Sequence, residues 1–561
     1  MTVPTPEAEE AKLDADQQRA VYALRGPVVI HAGAGAGKTR TITHRIAHGV
    51  HTGTYAPSNV MAVTFTRKAA LELQQRLHEL GVQGVQTRTF HSAAMSQLGY
   101  FWPRVVGGQS PNIIDGKARL IGQIAASEGM RLRGETMKDL AAEIEWRKSS
   151  MLNLERYGEI VGDRGGIGEL PPERVLWFHE RYEALKDDRR QIDFEDALIL
   201  MTGMLEQEPN VALEVRQQYR FFTVDEYQDI SPLQHALMHA WLGERTDLCV
   251  VGDASQTIYS FAGATSKYLL GFESEFPGAT KLQLEQNYRS TAPIVTAANT
   301  LMHGQPGALR LVAARTDDGP APSFEWFGSE KDEAEAVAQA IRERVASGTP
   351  ASDIAVLYRS HGYSVHLEEA LARNEVHARS LGAQRFFDRA DVKRAVMEIR
   401  AQAVAKDTRP VFQVVSDVLR TQGWTSAPPA RGEGGRERWE VLNALLKLVD
   451  ELPEGTSLGA FSEELLRRSK AHHEPSVNAV TLSTVHAAKG LEWPVVWLAG
   501  AAEGVFPISY AKDERTLEEE RRLFYVATTR ARDALYVSGA GGGKRTPSRF
   551  IELAGIAQTR R

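Results

Sequence analysis

Short apolar runs, spaced by amphipathic stretches, set the frame of this chain. Val28, Val29 and Ile30 form a β-branched run that reads as a buried strand, and a helix can follow over residues 41–50. FFTV at 221–224 and LCVVG at 248–252 read as further buried strands, and strands are predicted near 354–359, 479–483 and 495–499. Between 93 and 190 the pattern changes. Apolar residues recur at three- and four-residue spacing over 116–127, 137–148 and 173–187, which predicts helices. Alternation of strand and helix on both sides of that block predicts a parallel sheet. SAPPARGEGGRER at 426–438 reads as a loop, and GAGGGKRT at 539–546 as a flexible link.

The chain has 561 residues, enough for roughly three to five domains. Its 42% hydrophobic and 25% charged content is that of a soluble globular protein. It has no apolar run of ~18 residues, so no membrane partner is expected. The start, MTVPTPEAEEAKLDAD, is acidic and lacks the apolar core of a signal peptide, so a cytoplasmic protein is expected. Cys249 is the only cysteine. That excludes an internal disulfide and a cysteine-based zinc site, and fits a reducing compartment. With a net charge of −6, any nucleic-acid binding has to come from a local basic surface.

The chemistry concentrates first in HAGAGAGKTR at 31–40. A strand, a glycine-rich turn, Lys-Thr and a helix together make a phosphate-binding loop. Ala32 stands where the usual spacing has its first Gly. Gly33, Ala34, Gly35, Ala36 and Gly37 then curl the backbone so that N–H groups point inward, and the helix N-terminus adds positive charge. Lys38 can reach the β- and γ-phosphates of ATP, Thr39 can ligate Mg²⁺, and Arg40 follows directly. The second concentration is the strand that ends in Asp225-Glu226. Asp225 suits Mg²⁺, and Glu226 suits the orientation and deprotonation of a water.

DEYQD at 225–229 is more specific than two acids after a strand. It resembles motif II of the superfamily 1A DNA helicases of the UvrD/Rep/PcrA type, and similar segments follow in the family's order along nearly the whole chain. They are LDADQQRAV at 13–21, VTFTRKAALEL at 63–73, TFHS at 89–92, DFEDAL at 193–198, VGDASQTIYSFAGA at 251–264, LEQNYRS at 284–290, TVHAAKGLEW at 484–493, EEERRLFYVATTRAR at 518–532 and PSRF at 547–550. The resemblance implies that Gln17 reads adenine and Tyr288 stacks on it, that Gln256 senses the γ-phosphate, and that Arg289 and Arg530 are arginine fingers. It also implies that Glu492 binds the ribose and that Gly490 lets backbone approach the γ-phosphate. Single-stranded DNA would meet the aromatic faces of Phe65, Phe194, Tyr259, Phe261 and Phe550. Its phosphates would meet Thr64, Arg88, Thr89 and His91 in the first lobe and Arg359, Thr484 and His486 in the second.

What the resemblance implies for the whole is an α/β fold of two RecA-like lobes, each with a mostly helical insertion. Lobe 1A would take 1–92 and 191–288, insertion 1B 93–190, lobe 2A 289–383 and 476–561, and a shortened insertion 2B 384–475. ATP would lie in a cleft between the lobes. The implied activity is ATP-dependent 3′-to-5′ unwinding in DNA repair or replication, by a cytoplasmic, nucleoid-associated monomer acting on single-stranded and 3′-tailed duplex DNA, with a repair protein as possible recruiter. The alternative is a single-strand translocase that unwinds weakly without a partner, which the short 2B keeps open. Two segments depart from the family. Phe261-Ala262 replaces a usual Trp-Arg, and Val365 replaces a usual Arg. The wording of SQTIYSFAGAT is closest to an actinobacterial UvrD-type paralogue. The C-terminal cysteine cluster and helical DNA-binding domain of such paralogues are expected to be lacking here.

Overall fold

The computed structural model describes residues 12–558, apart from 382–386, 388–389, 406–408, 427–438, 440–441, 444, 447, 450–451, 454, 472–477 and 544. The predicted loop at 426–438 therefore lies, beyond Ser426, outside the described residues. Two compact units are present. One runs to Gln286 and takes in Gly304–Arg310, and the other holds Asn287–His303 and the chain from Leu311 onward. The division differs in detail from the boundary expected at 288. Asn287 turns its side chain onto the N–H groups of Arg289 and Ser290, at 3.0 and 2.8 Å, and so binds Tyr288 into the second unit. In the first unit, Gly307 lies so close to Leu270 that an added Cβ would approach it to 2.5 Å.

The first unit is built on a six-stranded sheet. Its strands are β1 (Val28–Ala32), β2 (Val60–Thr64), β3 (Gln86–Thr89), β4 (Phe221–Val224), β5 (Leu248–Gly252) and β6 (Thr280–Leu284), in the order β3-β2-β4-β5-β1-β6. All its pairings are parallel. Alternate residues feed opposite cores. Val29, Met61, Val63 and Val224 pack on one face, and Val28, Ile30, Val60 and Ala62 on the other. A parallel sheet covered on both faces needs this apolar character, and its four inner strands β1, β2, β4 and β5 are buried, largely apolar runs, whereas the edge strands β3 and β6 are more polar. Functional groups of such a sheet gather beyond the carboxyl ends of its strands.

Residues between β3 and β4 are mostly helical, with one short pair of strands, Asn112–Ile113 and Gln191–Ile192. They include α3 (Phe90–Val105), α4 (Lys117–Ser127), α5 (Gly134–Ser149), α6 (Leu154–Arg164), α7 (Pro172–Asp188) and α8 (Phe194–Gln207), which follow α1 (Ala15–Tyr22) and α2 (Lys38–His51). The helices predicted at 116–127, 137–148 and 173–187 are α4, α5 and α7. Ile121, Ile144, Tyr157, Phe178 and Tyr182 give this region a core of its own.

The second unit carries a seven-stranded sheet. Its strands are β7 (Ser323–Phe327), β8 (Ile354–Tyr358), β9 (Ala378–Ser380), β10 (Val480–Thr484), β11 (Trp493–Leu498), β12 (Ala531–Ala540) and β13 (Ala557–Gln558), in the order β9-β10-β8-β11-β12-β7-β13 and again parallel. Helices Ala390–Val404, Val411–Thr421 and Leu458–Ala471 form a separate body around Val392, Ile399, Val415, Leu419 and Phe461. The α/β class with two parallel sheets stands as expected. Among the described residues no helix is long and apolar enough to cross a membrane.

Candidate nucleotide site and aromatic row

The loop after β1 has the geometry of a phosphate cradle. Gly35 and Gly37 take left-handed φ values of 68° and 76°. Gly37 caps the N-terminus of α2 with no side chain, so first-turn N–H groups are left for an anion. Gly37 is required a second time, because a Cβ there would come within 2.9 Å of Nε2 of Gln17. Gln17 is buried, donates from Nε2 to the Ala36 carbonyl at 3.0 Å, and accepts the Asp14 N–H at 3.3 Å in the capping box of α1. It thereby braces the loop. Nζ of Lys38 folds back onto the carbonyls of Ala32 (3.1 Å) and Gly33 (3.4 Å). Gly33, Ala34 and Ala36 are enclosed, Thr39 lies half-buried in the first turn, and Arg40 donates to the Lys12 carbonyl at 3.3 Å.

Asp225 and Glu226 leave the end of β4, with the Asp225 N–H donating to Val63 at 2.9 Å. Burial, and then the Glu226 carboxylate, push the Asp225 carboxyl above its ordinary range. Glu226 holds φ at +53°, a left-handed conformation that a non-glycine residue adopts only under local constraint. Two adjacent acids, one buried, together with the Thr39 hydroxyl supply the hard oxygen donors that suit Mg²⁺. The loop likewise fits a nucleotide polyphosphate.

A chain of buried amides and acids continues from this point. Nε2 of Gln228 donates to Glu226, and its Oε1 accepts the Asp253 N–H at 3.0 Å. Asp253 in turn accepts Nε2 of Gln256 at 2.6 Å. Gly252, the last residue of β5, makes room, since a Cβ there would meet Oε1 of Gln228 at 2.5 Å. Sequence reasoning singled out Glu226 and Gln256 and passed over Gln228 and Asp253. The signal was present, because both stand inside the quoted motifs and Asp253 is an acid at a strand end.

Three residues past Gln256 begins a row of rings. Phe65 and Tyr259 stack at 5.4 Å and 16°, and Phe261 meets Tyr259 edge-on at 6.0 Å. Phe65 and Phe261 are exposed. Phe194, the first residue of α8, is also exposed and meets His91 edge-on at 6.0 Å. Burial and the charge of Lys117 push His91 down to about 4, so its ring is neutral. The Thr89 hydroxyl caps α3 by accepting the Ser92 N–H at 3.2 Å, and Arg88 donates to the Gln86 side chain.

In the second unit Arg289 pairs with Glu492 and donates to the Thr529 carbonyl at 3.2 Å, which joins two expected nucleotide residues. Arg530 is almost wholly buried and donates to the carbonyls of Val526 and Leu491, at 3.0 and 3.1 Å. Gly490 takes a φ of 81°, and the ring of Tyr288 is exposed. Thr484 accepts the Ala487 N–H at 3.3 Å, and burial together with Arg359 pushes His486 down to about 3.

Three residues expected to contact nucleic acid are enclosed or paired within the protein. Phe550 is buried against Phe524 (5.5 Å) and Phe506 (6.3 Å), so neither ring face is open to a base. The Arg359 guanidinium forks onto the buried Glu520 at 2.9 and 2.7 Å, which neutralises it without phosphate. The Thr64 hydroxyl is enclosed at the end of β2. Glu520 carried no sequence signal as a partner, since 161 positions separate it from Arg359.

Residues 13–277 match the model of the UvrD/REP helicase N-terminal domain, and residues 282–428 and 398–541 match that of the UvrD-like helicase C-terminal domain. The chain is 43% identical over 580 residues to the ATP-dependent DNA helicase UvrD2 of Mycobacterium tuberculosis, covering 98% of this chain and 82% of that one. It is 29% identical over 633 residues to the ATP-dependent DNA helicase PcrA of Staphylococcus aureus, covering 96% and 86%. The order of motifs, the phosphate loop with its paired acids, and these matches together place the chain in the UvrD/REP helicase family.

Proposed function

We propose that this helicase hydrolyses ATP when single-stranded DNA occupies the row of Phe65, Tyr259 and Phe261, and that it moves 3′ to 5′ to separate 3′-tailed duplexes during DNA repair or replication. The relatives' names support ATP and DNA. Exposed ring faces support a single strand read without sequence preference. Polarity and the repair or replication role rest on the family resemblance. The observation that carries the reading is the run of hydrogen bonds Glu226–Gln228–Asp253–Gln256, which leads from the hydrolytic acids to the segment bearing Tyr259. It gives strand occupancy a physical route to turnover.

When bound with Thr39 and Asp225, Mg²⁺ supplies charge neutralisation at the phosphates. Lys38 and the first-turn N–H groups of α2 hold the polyphosphate. Glu226 orients a water and accepts its proton. The family resemblance assigns Arg289 and Arg530 to offset charge on the transferring group.

The test is strand displacement on duplexes with a 3′ tail, a 5′ tail or none, beside ATPase with and without single-stranded DNA. Stimulated ATPase with displacement from the 3′ tail is expected. Displacement from the 5′ tail alone overturns the polarity. Stimulated ATPase without displacement makes the chain a translocase.

A further inference from the structure

A cluster of metal-ligating side chains lies on the first unit, outside the phosphate loop and the aromatic row. His235 and His239 are one helical turn apart on α9 (Pro232–Leu242), so both rings project from the same face. Glu275 comes from the short helix α10 (Phe272–Glu275). Nε2 of His235 lies 3.1 Å from Oε1 of Glu275, and Nε2 of His239 lies 2.8 Å from the same oxygen. The ligand atoms all fall within 4.8 Å of one another.

We propose that His235, His239 and Glu275 form a binding site for one transition-metal dication of the zinc class. Two imidazoles and one carboxylate are a donor set that suits zinc and leaves a fourth position for water. Zinc bonds of about 2.0–2.1 Å in a tetrahedron separate neighbouring ligand atoms by roughly 3.3 Å. The two histidine–carboxylate spacings thus need to widen by only a few tenths of an ångström, and all the ligand atoms already lie within 4.8 Å of one another. Nε2 of His239 is enclosed and close to Glu275, but makes no aligned hydrogen bond there. With the ring proton on Nδ1, Nε2 presents a lone pair that an ion can use. The ring planes are already fixed, because Tyr268 stacks on His235 at 3.7 Å and Phe276 on His239 at 5.6 Å. Rings held this way lose little freedom when they bind. The bound ion ties α9, which begins just after DEYQD, to α10, which leads from the aromatic row towards β6.

This site is independent of the helicase reading, and so is its test. The untagged full chain, stripped by chelator and free of nucleotide, is titrated with Co²⁺ and its visible spectrum recorded. Zn²⁺ is then added in competition. The expected result is one Co²⁺ per chain with a ligand-field band that Zn²⁺ abolishes, and a higher Tm with Zn²⁺. His239→Gln and Glu275→Gln should each weaken Co²⁺ binding at least about tenfold, whereas His78→Gln should leave it unchanged. Circular dichroism checks that each variant is folded. Absence of stoichiometric Co²⁺, binding that His239→Gln and Glu275→Gln leave unaltered, or binding erased by excess Mg²⁺ would each overturn the proposal.

Discussion

Glu226 and Gln228 are joined side chain to side chain, with the Gln228 amide donating to the Glu226 carboxylate and its oxygen taking the Asp253 N–H. One amide therefore holds the acid proposed to orient the water and the turn that leads to Gln256. Gln228→Met keeps the volume and removes both bonds. A hydrogen bond to a charged group contributes about 1.5–3 kcal/mol. DNA-stimulated kcat should fall about tenfold or more, with the KM for ATP nearly unchanged. Steady-state ATPase with and without oligo-dT checks this, and an undiminished stimulation would remove Gln228 from the coupling.

The rings separate into two kinds. Phe65→Ala and Phe261→Ala should each weaken single-strand binding by about 1–3 kcal/mol, read by fluorescence anisotropy, with little change in Tm. Phe550→Ala should behave oppositely. It empties a buried aromatic site and should destabilise the chain by about 3–5 kcal/mol, while the folded fraction keeps its DNA affinity.

That contrast marks how far sequence carries. The strand ends that hold Gly33, Asp225 and Asp253 were legible, because unbroken apolar runs followed by glycine or acid have few other readings. Phe65, Tyr259 and Phe550 all look alike as aromatics inside motifs. What separates them is burial, set by elements distant in the chain such as the helix bearing Phe524. The pairing of Arg359 was hidden for the same reason, since its partner Glu520 is fixed by tertiary packing. Gln17 was legible as a nucleotide-site residue, but its brace on Ala36 depends on α1 lying against the loop.

Lys186 is buried and paired with Asp193 and Asp196, and Lys148 joins the same two acids from α5. Burial alone would raise the Asp193 carboxyl, but the two ammonium groups outweigh it and hold it below the carboxylate range. Asp193 and Asp196 flank Phe194, so the cluster sets where that ring emerges. Lys186→Met leaves buried acids short of a partner and should destabilise the chain by about 3–5 kcal/mol. Denaturant unfolding checks it. A loss under about 1 kcal/mol would mean that water reaches the acids, as at a surface pair.

His179 gives the chain a pH response that can be isolated. It is fully buried, neither ring nitrogen has a hydrogen-bond partner, and its ring stacks on Tyr157 at 4.4 Å. Burial, and then Arg147, push it down to about 3 from 6.5. Above pH 6.5 the ring is neutral in both folded and unfolded chains, and its contribution does not vary. Below 6.5 the unfolded chain gains a proton that the folded chain refuses until about pH 3. Stability is therefore lost as pH falls through that window, by up to about 1.4 kcal/mol per pH unit from this group. His91 and His486 shift in the same direction and add to the slope. His179→Phe keeps the stack and removes the titration. Its Tm should fall less than that of the parent chain between pH 7.5 and 5.5, and should exceed it at pH 5.5. Parallel Tm curves for the two proteins would show that His179 does not carry the response.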